Sequence, residues 1–313
     1  MHTHHSHSGD YVSHAHDPLE DMVDSYIAKG FKTLCLTEHM PRSESRFLYP
    51  EELDKSYTTN NLFNDFDRYL AHAKELKERH KDKIDIIIGF EIEGINEDHI
   101  NLAAKLIKDP RIDISVGSVH FTHEVPIDFS KELWIDAKRA SKGGLTRSLY
   151  KSYFELQSKI IDLQPTIIGH FDLIRLCQPK DDYDETTSRP TNDVDIEQEW
   201  PEVWEVIVDN IRKVVHYGGL FELNSSAIRK GWDEPYPRRD IAKAIIELGG
   251  KFCLSDDAHA LSQIGLNYHN VLKYAKELNI PNLYHVETTN DGIKLISDTI
   301  EEIEKSLFWS NSN

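Results

Sequence analysis

Nearly every apolar run in this chain ends in a histidine or a carboxylate. His5-Ser6-His7 lies at the N-terminus, and Thr37-Glu38-His39, Gly89-Phe90-Glu91-Ile92-Glu93, Ser118-Val119-His120, Gly169-His170-Phe171-Asp172 and Asp256-Asp257-Ala258-His259 close later runs. The runs are β-branched and almost continuously apolar, near 33–37, 84–92, 113–121, 166–171, 219–224, 251–255 and 282–287. Between them lie stretches with helical patterning, near 18–29, 61–80, 97–108, 145–163, 201–216, 238–249 and 267–278. Strand–helix alternation argues for parallel βαβ units, and strands covered on both faces read as unbroken apolar runs. In a parallel sheet those histidines and carboxylates share one face, the C-terminal face where α/β barrels gather their chemistry.

The chain of 313 residues suits one barrel domain. No repeat or linker divides it, so residues 1–313 read as a single domain, with an acidic, polar excursion near 178–200. Such a loop either borders a site or is simply tolerated at the surface. The first helix carries clear end signals: Asp17 as N-cap, Pro18 at the first helical position, Glu20 at a capping-box spacing and Gly30 as the stop.

Composition excludes several classes. A formal net charge of -18 argues against a broad nucleic-acid surface, which needs clustered Lys and Arg. An anionic substrate then requires local positive charge, which metal ions and a few arginines supply. Cys35, Cys177 and Cys253 are scattered, with no C-x-x-C motif, so they read as small apolar residues in a reducing compartment. No apolar run reaches the ~18 residues of a membrane span, and no apolar leader is seen, so the expectation is a cytoplasmic protein.

A lone histidine at a strand end is more often a hydrogen-bonded structural residue than a ligand. Six strand ends of this kind on one face are a different matter. On an extended segment residues i and i+2 project to the same side, so His5 and His7 can grip one ion, and Asp257 and His259 repeat the spacing. His2 and His4 offer the same spacing as His5 and His7. Glu91 and Glu93 are also two apart, and one of them can bridge two ions. Imidazole plus carboxylate without thiolate suits zinc, iron or manganese, and so many donors exceed one tetrahedral ion. Two or three divalent ions are expected.

In order and spacing, the stretches MHTHHSHSGDY, LCLTEHMPR, IIGFEIEG, VGSVHF, PIDF, IIGHFDLIRL, FELNSSAIRKG, EPYP and LSDDAHA resemble the histidinol-phosphatases of the polymerase-and-histidinol-phosphatase (PHP) superfamily, in particular the fungal type. The resemblance covers most of the chain. It implies a distorted (β/α)7 TIM-like barrel, the PHP fold, with a metal cluster at the C-terminal strand ends. It implies metal ligands at His5, His7, His14, His39, Glu91, His120, His170, Asp257 and His259. Where many members have Asp two residues before the first histidine, this chain has Thr3, and the interval to His39 favours His5 and His7 over His2 and His4. Arg175 and Arg229 resemble the family's phosphate-contacting arginines, and Arg42 is a third candidate. A planar guanidinium holds two phosphate oxygens at once. Asp257, His259, Arg175 and Arg229 are thereby the expected catalytic residues.

The implied activity is metal-dependent hydrolysis of L-histidinol phosphate, a small phosphate monoester, in histidine biosynthesis. The other readings are a different PHP phosphoesterase acting on nucleotide or DNA, a metal-dependent amidohydrolase (no lysine stands at a strand end to bridge its metals), and a non-catalytic metal-binding regulatory protein. A carboxylate at the rim is expected to pair with the substrate ammonium, with Glu93, Asp128, Asp172 and Asp256 as candidates. Asn224 either orients substrate or stops its strand.

Overall fold

The computed structural model describes residues 1–290 and 292–311. Seven strands follow one another in chain order: β1 (His2–Thr3), β2 (Thr33–Leu36), β3 (Asp85–Glu93), β4 (Ile114–Ser118), β5 (Ile167–Ile168), β6 (Leu220–Asn224) and β7 (Lys251–Ser255). Each pairs in parallel with the next. The sheet curls until its edges meet: Ser6 bridges Ala258 in parallel, and the His7 amide donates to the Ala258 carbonyl at 2.9 Å. The result is a distorted (β/α)7 barrel.

Helices α1 (Leu19–Ala28), α2 (Thr59–His80), α3 (Glu97–Leu106), α4 (Lys131–Ala140), α5 (Thr146–Ile161), α6 (Pro201–Tyr217), α7 (Arg239–Glu247) and α8 (Tyr268–Glu277) make the crossovers. In α2, Leu62, Phe66, Tyr69, Leu70, Ala73 and Leu76 are buried, a stripe at helical spacing that packs on the sheet. Midway along that stripe Tyr69 adds a polar anchor, its hydroxyl proton shared between the carbonyls of Leu36 (2.7 Å) and Gly89 (2.8 Å). Gly169 sits where a Cβ would collide with the Ser118 and Val116 side chains, so only glycine lets β5 approach β4 and deliver His170 to the barrel mouth.

The barrel interior holds Cys35, Ile87, Ile114, Val116, Ile167, Leu220 and Cys253. One end is plugged by a hairpin, β8 (Asn282–Thr289) and β9 (Gly292–Thr299). β8 crosses the N-terminal ends of the strands: Tyr284 pairs with Cys253 of β7, Val286 joins the interior cluster, and the Thr288 amide donates to Asp85 at the start of β3. The other end is left to the histidines. No helix among the described residues is long and apolar enough to cross a membrane.

Several local expectations are corrected. Asp17 does not cap α1; its carboxylate accepts from the Leu261 amide, and Asp10 accepts from Leu19 at the helix start. Gly30 does stop that helix, at φ +80°. The run at 113–121 ends as a strand at Ser118, and Phe121–Thr122 pairs instead with Val125–Pro126. The excursion near 178–200 contains a short helix, Ile196–Glu199, and is fastened by Thr191 to Asp182 and Gln178.

Candidate metal centre

The strand ends converge on Glu91. Its Oε2 lies 2.8 Å from His39 Nδ1, 3.2 Å from His5 Nε2 and 3.5 Å from His7 Nε2. Its Oε1 lies 3.1 Å from His170 Nε2 and 3.3 Å from His120 Nε2. Asp257 approaches from β7, with Oδ1 3.6 Å from His7 Nε2 and 3.9 Å from His5 Nε2. His259 packs its ring 4.4 Å from that of His7, and its Nδ1 hydrogen-bonds to the Asp257 carbonyl at 3.0 Å. His14 stands further out, with ring centroids 5.1 Å from His259 and 5.3 Å from His39. Asp257 has φ +48°, a left-handed backbone that costs a non-glycine residue energy and turns its side chain into the cluster.

The donors group in overlapping triads: His5, Glu91 and His170; His5, His7 and Asp257; His39, Glu91 and His120; His7, His39 and His259. Within each triad the donor atoms lie within 4.8 Å of one another. His5 Nε2, both ring nitrogens of His7 and His39 Nδ1 are buried without an aligned hydrogen bond, which is costly unless something positive lies between them. The residues therefore fit divalent cations, and Glu91 fits a bridging carboxylate.

Behind these donors stands a second ring of carboxylates. Glu222 accepts from His5 Nδ1 at 2.9 Å, and Glu93 faces His39 Nδ1 at 2.8 Å and His120 Nδ1 at 3.2 Å. Glu38 lies 3.6 Å from His7 Nδ1 and accepts from the Ser8 hydroxyl at 2.6 Å. Ser226 donates to Asp257 at 3.1 Å. Such partners fix which ring nitrogen is left free.

Burial opposes charge throughout, but mutual attraction decides. Around Glu91 the imidazoles of His5, His120 and His39 outweigh burial and hold its carboxyl well below the usual range. Glu93 and Asp257 are lowered in the same way. Conversely Glu91 and its neighbours lift His5 and His120 well above the ordinary histidine value and His39 to about 9, against the burial penalty. Burial and neighbouring imidazoles push His7 and His14 far down, and His259 to about 4. Cations bound among these donors would compete with protons for the imidazole nitrogens, which makes metal affinity pH-dependent.

The cluster floors a cavity of about 330 Å³ whose rim includes Tyr49, Asp128, Phe129, Arg229 and Lys230. Arg229 is held by the backbone carbonyls of Asp256 (3.3 Å) and Asp257 (3.1 Å). Arg175 is not brought to this cavity. Its guanidinium pairs with Asp240 at 2.6 Å and Asp172 at 3.4 Å and lines a different cavity, beside the 192–197 part of the polar excursion. Arg42 is likewise diverted: it is buried between Glu52 and Glu93 with its guanidinium 4.0 Å over the Tyr49 ring. Among the expected ammonium partners only Asp128 reaches the rim. Glu93 is tied into the cluster, Asp172 accepts from the Arg238 amide, and Asp256 is buried against Thr3, Tyr26 and Gly265. Asn224 is buried behind the site, bonded to Glu222 and Ser226.

Of the two spaced pairs, His5 and His7 lie among the Glu91 and Asp257 donors, and His2 and His4 do not. His4 is bonded through both nitrogens to the Leu254 carbonyl and the Val286 amide, at the plugged end of the barrel. Sequence reasoning missed Glu222, Glu38, Ser226 and Lys230. Glu222 was findable as the one charged residue in the apolar run FELN.

Comparison with known proteins bears on this geometry. The PHP domain family profile matches residues 3–226. The histidinol-phosphatase of Saccharomyces cerevisiae is 37% identical over 335 aligned residues, spanning 99% of this chain and 100% of its own. A Schizosaccharomyces pombe protein named "Probable histidinol-phosphatase" is 40% identical over 289 residues, 92% of this chain and 90% of its own. The structure of a histidinol phosphate phosphatase from Lactococcus lactis, complexed with zinc, L-histidinol and phosphate, superposes with TM-score 0.64 at 17% identity, over 94% of this chain and 98% of that one. At that identity the superposition establishes the shared fold.

Proposed function

The chain belongs to the PHP family, and on that premise we propose that it is an enzyme hydrolysing L-histidinol phosphate to L-histidinol and phosphate, with divalent metal ions as cofactor. The observation that carries this reading is the convergence of five imidazoles on one buried carboxylate, Glu91, with Asp257 closing on two of those imidazoles, beneath a cavity rimmed by Arg229 and Lys230.

In this reading His5, His7, His14, His39, Glu91, His120, His170, Asp257 and His259 hold two or three ions, with zinc, iron and manganese as the metals such donors suit. Bound ions of this kind supply a water of lowered pKa and positive charge at the phosphoryl oxygens. The chain's own residues do the rest. Glu222 and Glu93 keep protons on the outward nitrogens of His5 and His120, so that their Nε2 lone pairs face the pocket. Arg229, braced by two carbonyls, offers fixed donors to a phosphate at the mouth, a charge already in position before the transition state forms. Asp257 is clamped by Ser226, which fixes the donor nearest to Arg229. Asp128 stands where a cationic substrate head would emerge.

A small cavity and the acidic balance of the chain favour a small phosphomonoester over DNA. The unpaired state of Cys35, Cys177 and Cys253 supports a reducing, cytoplasmic setting. The test sets phosphate release from L-histidinol phosphate beside release of mononucleotides from a single-stranded oligonucleotide. Preference for the amino-alcohol phosphate supports the reading, and preference for the oligonucleotide overturns it.

A further inference from the structure

At the plugged end of the barrel, away from the pocket, three more donors meet. We propose that His2, His285 and Asp298 form a separate divalent-metal site that fastens the N-terminal strand to the β8–β9 hairpin. Their donor atoms lie within 4.8 Å of one another. His2 and His285 are 2% and 6% exposed, and their rings stack with centroids 4.6 Å apart. The hairpin register explains the meeting. His285 lies opposite Ile296, so Asp298 is its diagonal neighbour on the same face.

Hydrogen bonding around His285 leaves a gap that a cation fills. Its Nε2 faces Glu287 at 3.1 Å, which puts the proton there and the lone pair on Nδ1. Nδ1 then faces Asp298 Oδ2 at 3.4 Å without an aligned hydrogen bond, acceptor against acceptor. His2 Nε2 is also buried and unpartnered. A second proton on His285 would answer Asp298 and leave His2 Nε2 unanswered; a metal ion answers all three. His4, two residues on from His2, is the internal contrast, since both of its nitrogens are satisfied by backbone.

Two imidazoles and one carboxylate suit zinc or a neighbouring first-row divalent ion, and water can complete its coordination because Asp298 is partly exposed. The site stands whatever the pocket's substrate proves to be.

The experiment uses protein with its own N-terminus and no tag, crystallised with zinc and measured at the zinc absorption edge. An anomalous peak bonded to His2, His285 and Asp298, separate from those in the pocket, is expected. Two variants, His285→Ala and Asp298→Asn, should each bind about one zinc fewer per chain while the pocket stays loaded. Asp298→Asn preserves the hairpin should His285→Ala fail to fold. A zinc-filled pocket with no peak between His2 and His285, or unchanged zinc content in Asp298→Asn, overturns the proposal.

Discussion

Glu222 stands directly behind His5, its Oε1 2.9 Å from Nδ1, with both side chains fully buried. The contact places the proton on Nδ1 and turns Nε2 toward Glu91. The other oxygen of Glu222 accepts from the His170 amide at 2.9 Å, so one carboxylate sets two histidine-bearing strand ends. Glu222→Gln is therefore expected to weaken metal binding by about 10- to 100-fold. Competition against a chelator of known affinity measures this, and an unchanged affinity would remove Glu222 from the account.

The two arginines should part company. Arg229→Ala is expected to lower kcat/KM for L-histidinol phosphate by about 10²- to 10³-fold with metal content intact. Arg175→Ala should leave kcat/KM near that of the parent and instead cost about 1–3 kcal/mol of stability, because Asp172 loses its buried partner. Steady-state kinetics and thermal unfolding on both variants decide this. The reverse pattern would restore the phosphate role to Arg175.

Why the chain alone pointed to Arg175 is instructive. Its spacing from His170 is visible in the sequence, but Asp240, which takes its guanidinium, lies 65 residues further on. Arg42 was diverted in the same way by Glu52 and Glu93, and Asp10 rather than Asp17 meets the start of α1. The strand ends themselves were legible because alternation and strand-end chemistry are local signals. The strand Gly292–Thr299 was not: it lies largely open to solvent and shows no apolar run. Glu222 left a signal too, the one charge in the run FELN, but its partner His5 lies 217 residues away.

Glu38 gives a pH signature. Burial pushes its carboxyl up from 4.5 to about 8, with the Ser8 hydrogen bonds only partly offsetting this. A carboxyl raised in the folded state adds stability that is full below the unfolded value and is lost as pH rises through the folded one. In metal-free protein Glu38 should therefore subtract from Tm between about pH 4.5 and pH 8, so that Glu38→Gln loses less, or gains more, than the parent over that window. Parallel Tm–pH curves for the two proteins would contradict the assignment.

Substrate choice should rest on Asp128, the carboxylate at the rim. Asp128→Asn is expected to lower kcat/KM for L-histidinol phosphate by about 1.5–3 kcal/mol, with little change for ethyl phosphate, which has no ammonium to pair. If both substrates fall equally, Asp128 supports the pocket rather than reads the substrate.

Hydrolysis of L-histidinol phosphate in this pocket should depend on metal held around Glu91. Phosphate release from that substrate is to be measured with protein stripped by a chelator and then titrated with zinc, manganese or iron. Release should vanish on stripping and return in step with the ions rebound. Release that survives complete metal removal would show that the pocket works without them.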